Sequence, residues 1–149
     1  MNKFILSTLL LATLLLSACS GNETASQAVP SGAEVVGKPV SVPGAGTYTD
    51  VSVPELQTML ENKDFTFVNV HIPFEGDIPA TDLSIPYDEI EQHLEELPAD
   101  KGAKIVLYCR SDRMSNIAAE KLVQLGYTNV WNLEGGFNEW GNAGLPLEK

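Results

Sequence analysis

The sequence predicts an α/β domain built on a central, mainly parallel β-sheet flanked by helices on both faces. Three short apolar runs have the length and the β-branched content of buried strands: FTFVNV (65–70), KIVLY (104–108) and NVWNL (129–133). Segments in which apolar residues recur at helical spacing separate these runs. Strands that alternate with helices are typical of parallel sheets, because a helical crossover joins consecutive parallel strands.

The chain begins with the pattern of an export signal. Lys3 precedes an uncharged apolar stretch (4–16), and small residues lead to Cys19. The stretch is shorter than the roughly 20 residues that span a bilayer, so residues 1–18 are predicted to be a signal peptide. The tetrapeptide LSAC (16–19) resembles the lipobox of bacterial lipoproteins, which implies cleavage before Cys19 and lipidation of that residue. The alternative is an ordinary export signal in which Cys19 is incidental.

Lipidation of Cys19 would attach the chain to a membrane of the bacterial cell envelope. Ser20 favours the outer membrane, facing the periplasm, if the cell is Gram-negative. The formal net charge of −11 argues against nucleic acid or anionic lipid headgroups as partners. Membrane attachment is therefore expected through acyl chains and not through a basic patch.

A linker and one domain are predicted after the signal. Residues 19–46 are rich in Gly, Ser, Ala and Pro without sustained periodicity, which predicts a flexible tether. The alternative is that EVVGKPVSV (34–42) forms an extra strand. Residues 47–149 have the length of a single domain.

Three helices are predicted within that domain. The first follows Ser52-Val53-Pro54-Glu55, which has the spacing of a capping box. The second is YDEIEQHLEEL (87–97). The third runs from Ser115 to Leu125, stops at Gly126, and is expected to place Ile117, Ala118, Leu122 and Leu125 on one face.

Cys109 is the candidate nucleophile. It follows KIVLY directly, and functional sites of parallel sheets lie beyond the carboxyl ends of the strands. If Cys19 carries lipid, Cys109 is the only free thiol of the mature chain. A loop curling into the next helix would turn backbone N–H groups and the positive helix end toward the sulfur, which favours the thiolate. Arg110 and Arg113 add positive charge and Asp112 subtracts some. The alternative is a buried structural cysteine.

The segment YCRSDRMSNIAAEKLVQLGYTNVWNLEGGFNEW (108–140) resembles the second half of a rhodanese domain. Its order is a strand, a cysteine loop, a helix, a strand and a Leu-Glu-Gly-Gly-Phe-x-x-Trp signature at 133–140. The first half, from residue 47, matches more loosely. The resemblance implies a substrate-binding loop after the cysteine, formed by Arg110, Ser111, Asp112, Arg113, Met114 and Ser115.

The resemblance also implies the reaction and its partners. Cys109 would take the outer sulfur of thiosulfate or a related small sulfur-containing anion, hold it as a persulfide and pass it to a thiol acceptor. This chemistry requires no metal and no organic cofactor. The sequence also predicts no metal site, because His71 and His93 are far apart along the chain and belong to no ligand pattern.

The chain departs from the family pattern in several places, including the shorter loop after His71 with Gly76-Asp77-Ile78-Pro79. Asn69 and His71 stand where many members have aspartate and arginine, and both are predicted to support the site from the neighbouring strand. Asp112 replaces a frequent glycine and is expected to repel thiosulfate, and Met114 replaces an arginine.

Two alternatives follow from the cysteine loop and these departures. One is a non-catalytic module that binds a sulfur species or a protein partner. The other is a phosphatase, which the sequence disfavours: the Cys-x5-Arg loop of related phosphatases would need arginine at Ser115.

Overall fold

The computed structural model describes residues 35–149. The predicted signal peptide, Cys19 and the predicted tether up to residue 34 lie outside the described residues. Between residues 35 and 149, no helix has both the length and the apolar composition needed to cross a bilayer.

Residues 35–149 contain six strands: β1 (Lys38–Val42), β2 (Gly46–Val51), β3 (Thr66–Asn69), β4 (Leu83–Ser84), β5 (Ile105–Tyr108) and β6 (Val130–Leu133). They form one sheet in the order β1-β2-β6-β5-β3-β4. Strand β1 pairs antiparallel with β2, and every other neighbouring pair is parallel. The predicted fold class, a mainly parallel α/β sheet, is confirmed. The helices are α1 (Val53–Glu61), α2 (Arg113–Gln124) and α3 (Gly136–Asn142), with a 3-10 turn at Ile90–His93.

Two hydrophobic cores lie on opposite faces of the sheet. Helix α2 and the 3-10 turn contribute to one core, and helices α1 and α3 contribute to the other. Strand β5 is fully buried and supplies both cores in alternation: Ile105 and Leu107 belong to the first, Val106 and Tyr108 to the second. Cys109 continues the first series and therefore lies on the same face as α2.

The predicted tether extends too far toward the domain. Residues 38–42 form strand β1, which makes a hairpin with β2 and occupies one edge of the sheet. Val42 and Tyr48 are each 4% exposed and pack in the same core as α2. The alternating apolar residues of this short strand are hidden among prolines and glycines, so composition alone pointed to a linker.

The predicted helix over 87–97 is also wrong. Only the 3-10 turn Ile90–His93 forms, although Ile90 and Leu97 are buried as their spacing indicates. Pro86 and Pro98 bound the segment, and it carries Asp88, Glu89, Glu91, Glu95 and Glu96. A helix this short is marginal in water, and like charges one turn apart weaken it further.

The predicted boundaries of the other two helices are close to those observed. At the start of α1, Glu55 Oε2 accepts hydrogen bonds from the Ser52 backbone N–H at 2.8 Å and from the Ser52 hydroxyl at 2.7 Å. These bonds lower the pKa of Glu55. Helix α2 is followed by Gly126 with a φ of +91°, a conformation that favours glycine. The predicted buried face of α2 is partly wrong, because Ile117 is 40% exposed.

Candidate active site

Cys109 lies at a cavity of about 310 Å³ at the carboxyl ends of β3 and β5. The thiol is almost fully buried, with 2% of the residue exposed. The loop after β3 forms one wall and the cysteine loop forms the other. The lining residues are His71, Ile72, Pro73, Glu75, Cys109, Arg110, Ser111, Arg113 and Met114. Four of the six predicted loop residues therefore face the cavity, and Asp112 and Ser115 do not.

Ser115 lies beside the sulfur in the first turn of α2. Its residue is fully buried, and its hydroxyl is 3.4 Å from Cys109 Sγ and 3.0 Å from the carbonyl oxygen of Asp112. A hydroxyl has one proton to donate, and the charge of a thiolate would attract that proton. Ser115 can therefore stabilise the nucleophilic form of Cys109.

The backbone of the cysteine loop offers donors for an anion. Within residues 35–149, the backbone N–H groups from Arg110 to Met114 have no hydrogen-bond acceptor. Helix α2 begins at Arg113, so its positive end is at the loop. Unpaired amides at a helix start form the usual setting for binding an anionic group.

Asp112 fixes the shape of the loop. Its φ is +83°, in the region that favours glycine, and its Oδ1 accepts a hydrogen bond of 2.6 Å from the Gly135 backbone N–H. Asp112 lines a separate cavity beside Gly135 and is not part of the lining of the Cys109 cavity. The side chain ties the loop to the segment before α3.

The Gly-Gly-Phe part of the signature holds the backbone of the cysteine loop. The N–H groups of Phe137 and Asn138 donate to the carbonyls of Cys109 and Arg110 at 2.9 and 3.1 Å. A Cβ atom at Gly136 would lie 2.2 Å from the Cys109 carbonyl oxygen, and the φ of Gly136 is +56°. Glycine at this position therefore allows α3 to approach the cysteine.

Asn69 positions the opposite wall of the cavity. It is fully buried, and its side-chain amide donates to the Gly76 carbonyl at 3.1 Å and to Asp77 Oδ1 at 2.9 Å. Its Oδ1 accepts from the His71 backbone N–H at 3.0 Å. The Tyr108 hydroxyl also reaches Asp77 Oδ1, at 3.1 Å. Asn69 is outside the cavity lining and holds the loop that carries His71.

His71 contributes its ring directly to the cavity. The residue is 6% exposed, and neither ring nitrogen has a hydrogen-bond partner among the described residues. Its ring packs edge-on against Phe137, with centroids 5.3 Å apart. Nε2 lies 3.4 Å from Glu75 Oε1, a contact without hydrogen-bond alignment. Of the two residues predicted to support the site, His71 lines the cavity, whereas Asn69 holds the loop behind it.

Glu75 is a residue of the site that sequence reasoning missed. Its Oε1 also lies 3.1 Å from Arg110 Nη1. Contacts with His71, and then with Arg110, lower the pKa of the Glu75 carboxyl. Arg110, expected to attract an anion, is therefore partly neutralised, and among residues 35–149 Arg113 forms no ion pair. Glu75 is in an irregular loop, where no periodicity marks it.

The predicted absence of a metal pattern at His93 needs a correction. His93 is part of an exposed group with Glu95 and Glu96, whose ligand atoms lie within 4.8 Å of one another. His93 Nδ1 is 2.6 Å from Glu96 Oε1, and this contact raises the pKa of His93. Exposed acidic groups commonly occur as ion pairs, and His93 is outside the lining of the Cys109 cavity.

The fold and the site together define a class of protein: a parallel α/β domain with a cysteine in a strand-to-helix loop that favours anions. The family model of the rhodanese-like domain matches residues 52–143. The chain belongs to the rhodanese-like family.

Relatives and solved structures agree with this family. A sulfurtransferase of Allochromatium vinosum is 36% identical over 94 residues, which cover 61% of this chain and 85% of the relative. A tRNA uridine(34) hydroxylase of Erwinia tasmaniensis is 31% identical over 112 residues, covering 68% of this chain and only 31% of that protein. The crystal structure of a rhodanese-related protein from Thermoplasma volcanium matches with a TM-score of 0.58 and 29% identity, covering 67% of this chain and 97% of that one.

Proposed function

We propose that this chain is a sulfurtransferase that moves sulfane sulfur from thiosulfate or a related donor to a thiol acceptor through a persulfide on Cys109. The observation that carries the proposal is the setting of Cys109, at a cavity beside unpaired loop amides and the buried Ser115 hydroxyl. The sulfurtransferase of Allochromatium vinosum supports the same class of reaction.

The reaction has two displacements. The Cys109 thiolate attacks the outer sulfur of thiosulfate, the sulfur–sulfur bond breaks, and its electron pair leaves with sulfite. The anionic persulfide on Cys109 then lies where the loop amides can hold it. An acceptor thiolate attacks the outer sulfur and regenerates the Cys109 thiolate. No electrons are exchanged with an outside oxidant or reductant, and the scheme gives ping-pong kinetics.

Two alternatives make different predictions. A binding module would hold a sulfur species or a protein without turnover, and the nearly complete burial of Cys109 favours it. A phosphatase would need a forked arginine at position 115, where the buried Ser115 contacts Sγ. Aryl phosphate hydrolysis that disappears in Cys109→Ser would favour the phosphatase.

The turnover experiment separates catalysis from binding. The full chain is supplied with thiosulfate and a small thiol, and the initial rate of sulfite release is measured at several concentrations of both. Parallel double-reciprocal lines, with no rate in Cys109→Ser, are expected. Binding of thiosulfate without turnover by the unaltered chain would favour the binding module.

We also propose that lipid on Cys19 anchors the chain in the bacterial cell envelope, at the periplasmic face of the outer membrane in a Gram-negative cell. The support is the apolar stretch 4–16 followed by LSAC at 16–19. Radiolabelled palmitate should enter the unaltered chain and not the Cys19→Ala variant. Equal label in both would contradict the anchor.

A further inference from the structure

His71 is a buried residue of the cavity whose side chain has no hydrogen-bond partner among residues 35–149. A histidine that is 94% buried normally has hydrogen-bond partners, because burying an unpaired polar group is costly. Neither His71 nitrogen has one among residues 35–149, although the ring lines the cavity that holds Cys109. A partner supplied by a bound substrate would explain both observations.

Charged residues lie on two sides of the His71 ring. Glu75 is 3.4 Å from Nε2, and its lowered pKa keeps it ionised. Arg110 Nη1 lies 3.1 Å from the same oxygen, Glu75 Oε1, and offsets part of its charge. Cys109 and Arg113 face the same cavity from the cysteine loop, and the uncharged Phe137 packs against the ring from α3. His71 thus contacts an anionic side chain and lines the same cavity as the reacting thiol.

The size and chemistry of the cavity indicate the class of donor. A volume of about 310 Å³ is at the lower end of the range for small-molecule sites and exceeds what a small inorganic anion fills. Ile72, Pro73 and Met114 give it an apolar surface. These residues suit a donor that carries a carbon skeleton.

We propose that the donor is a low-molecular-weight organic persulfide and that His71 is the catalytic acid and base for both sulfur transfers. This inference rests on the proposed sulfurtransferase function. In the first transfer, the Cys109 thiolate attacks the outer sulfur of R–S–SH. The sulfur–sulfur bond breaks, its electron pair stays on the inner sulfur, and the His71 imidazolium protonates that sulfur to give R–SH.

The second transfer returns the proton to His71. Neutral His71 takes the proton of the acceptor thiol R′–SH, and the resulting thiolate attacks the outer sulfur of the Cys109 persulfide. The products are R′–S–SH, the Cys109 thiolate and the His71 imidazolium. Sulfite is a stable anion and leaves without a proton, whereas a thiolate is a poorer leaving group. His71 therefore accelerates transfer from a persulfide and not from thiosulfate.

The test compares two donors with three variants of the full chain. Glutathione persulfide and thiosulfate are supplied separately, and the rate of sulfur loading on Cys109 is followed by mass spectrometry in rapidly quenched samples. His71→Gln should slow loading from glutathione persulfide about a hundredfold, the lower end of general acid catalysis, and leave thiosulfate loading within about threefold. His71→Arg keeps a positive charge without a transferable proton and should show the same donor-specific loss. His93→Gln, which alters the only other histidine, should match the unaltered chain.

A second measurement needs only the unaltered chain. Loading is timed with persulfides of three alkyl thiols of increasing basicity. Rates that hardly change along the series indicate protonation of the leaving sulfur, and a steep fall with basicity overturns the role of His71. Equal loss with both donors in His71→Gln, or no loss, also overturns it. Both results leave the sulfurtransferase proposal standing, whereas an unaltered chain that takes sulfur from neither donor contradicts that proposal itself.

Discussion

Substitutions at Asp112 measure two opposing contributions to the stability of the cysteine loop: a hydrogen bond and an unfavourable backbone angle. The Asp112 carboxylate accepts a hydrogen bond of 2.6 Å from Gly135, and its backbone has a φ of +83°. Loss of a hydrogen bond to a charged group costs about 2 kcal/mol of unfolding free energy. Release of a side chain from a positive φ returns about 1 kcal/mol, because glycine adopts that conformation freely. Asp112→Gly should therefore lower the unfolding free energy by about 1 kcal/mol.

Asp112→Ala loses the same hydrogen bond and keeps the positive φ. Alanine adopts a positive φ less readily than aspartate does, so the backbone strain increases. We expect this variant to lower the unfolding free energy by about 3 kcal/mol. Urea titrations of the full chain, followed by the fluorescence of Trp131 and Trp140, measure both values. A glycine variant more stable than the unaltered chain would refute the role of the hydrogen bond. Equal losses for glycine and alanine would refute the strain.

Three further predictions concern other contacts of the site and the fold. Gly136→Ala should destabilise the chain by about 3 kcal/mol or more, because its Cβ would overlap the Cys109 carbonyl, whereas Gly141→Ala in open space should be neutral or stabilising by thermal unfolding. Ser115→Ala should slow sulfur loading on Cys109 about tenfold through loss of the hydroxyl beside Sγ, and an unchanged rate would contradict that role. Glu55→Gln should be destabilising at neutral pH and should match the unaltered chain in strong acid. The pKa of Glu55 is lowered in the folded state, so the ionised carboxylate stabilises the fold above the ordinary glutamate pKa. This stabilisation disappears as pH falls through the lowered pKa. Urea titrations at both pH values check this, and a constant difference would contradict it.

The buried parts of the fold were predictable because their sequence signals are local. The three apolar runs contain the central strands β3, β5 and β6, and the Ser52 and Glu55 pair marks the start of α1. The hairpin of β1 and β2 was missed because its apolar residues are buried by α2, which is distant in sequence. A local pattern does not reveal that burial. The segment 87–97 buries Ile90 and Leu97 as their spacing indicated but forms only a 3-10 turn. Repulsion between acidic residues one turn apart weakens a helix of this length, and apolar spacing alone does not reveal it.

The site residues that directly follow strand β5 were predictable, because the end of a strand fixes where the next residues lie. Cys109, Arg110, Ser111, Arg113 and Met114 all line the cavity that strand-end reasoning placed there. The direction of a side chain was not predictable. Asp112 turns toward Gly135, Glu75 comes to Arg110 from a loop 35 residues away, and only one of Asn69 and His71 reaches the cavity. These side-chain directions depend on how irregular loops pack against one another, and no sequence periodicity marks that packing.

The central claim is that Cys109 carries the transferred sulfur. The most direct test is the intact mass of the full chain after exposure to a sulfane sulfur donor, followed by peptide mapping. The account predicts a gain of one sulfur atom, about 32 Da, on the peptide containing Cys109, its removal by an added thiol and its absence in Cys109→Ala. If neither thiosulfate nor an organic persulfide loads sulfur onto Cys109, the sulfurtransferase account is contradicted.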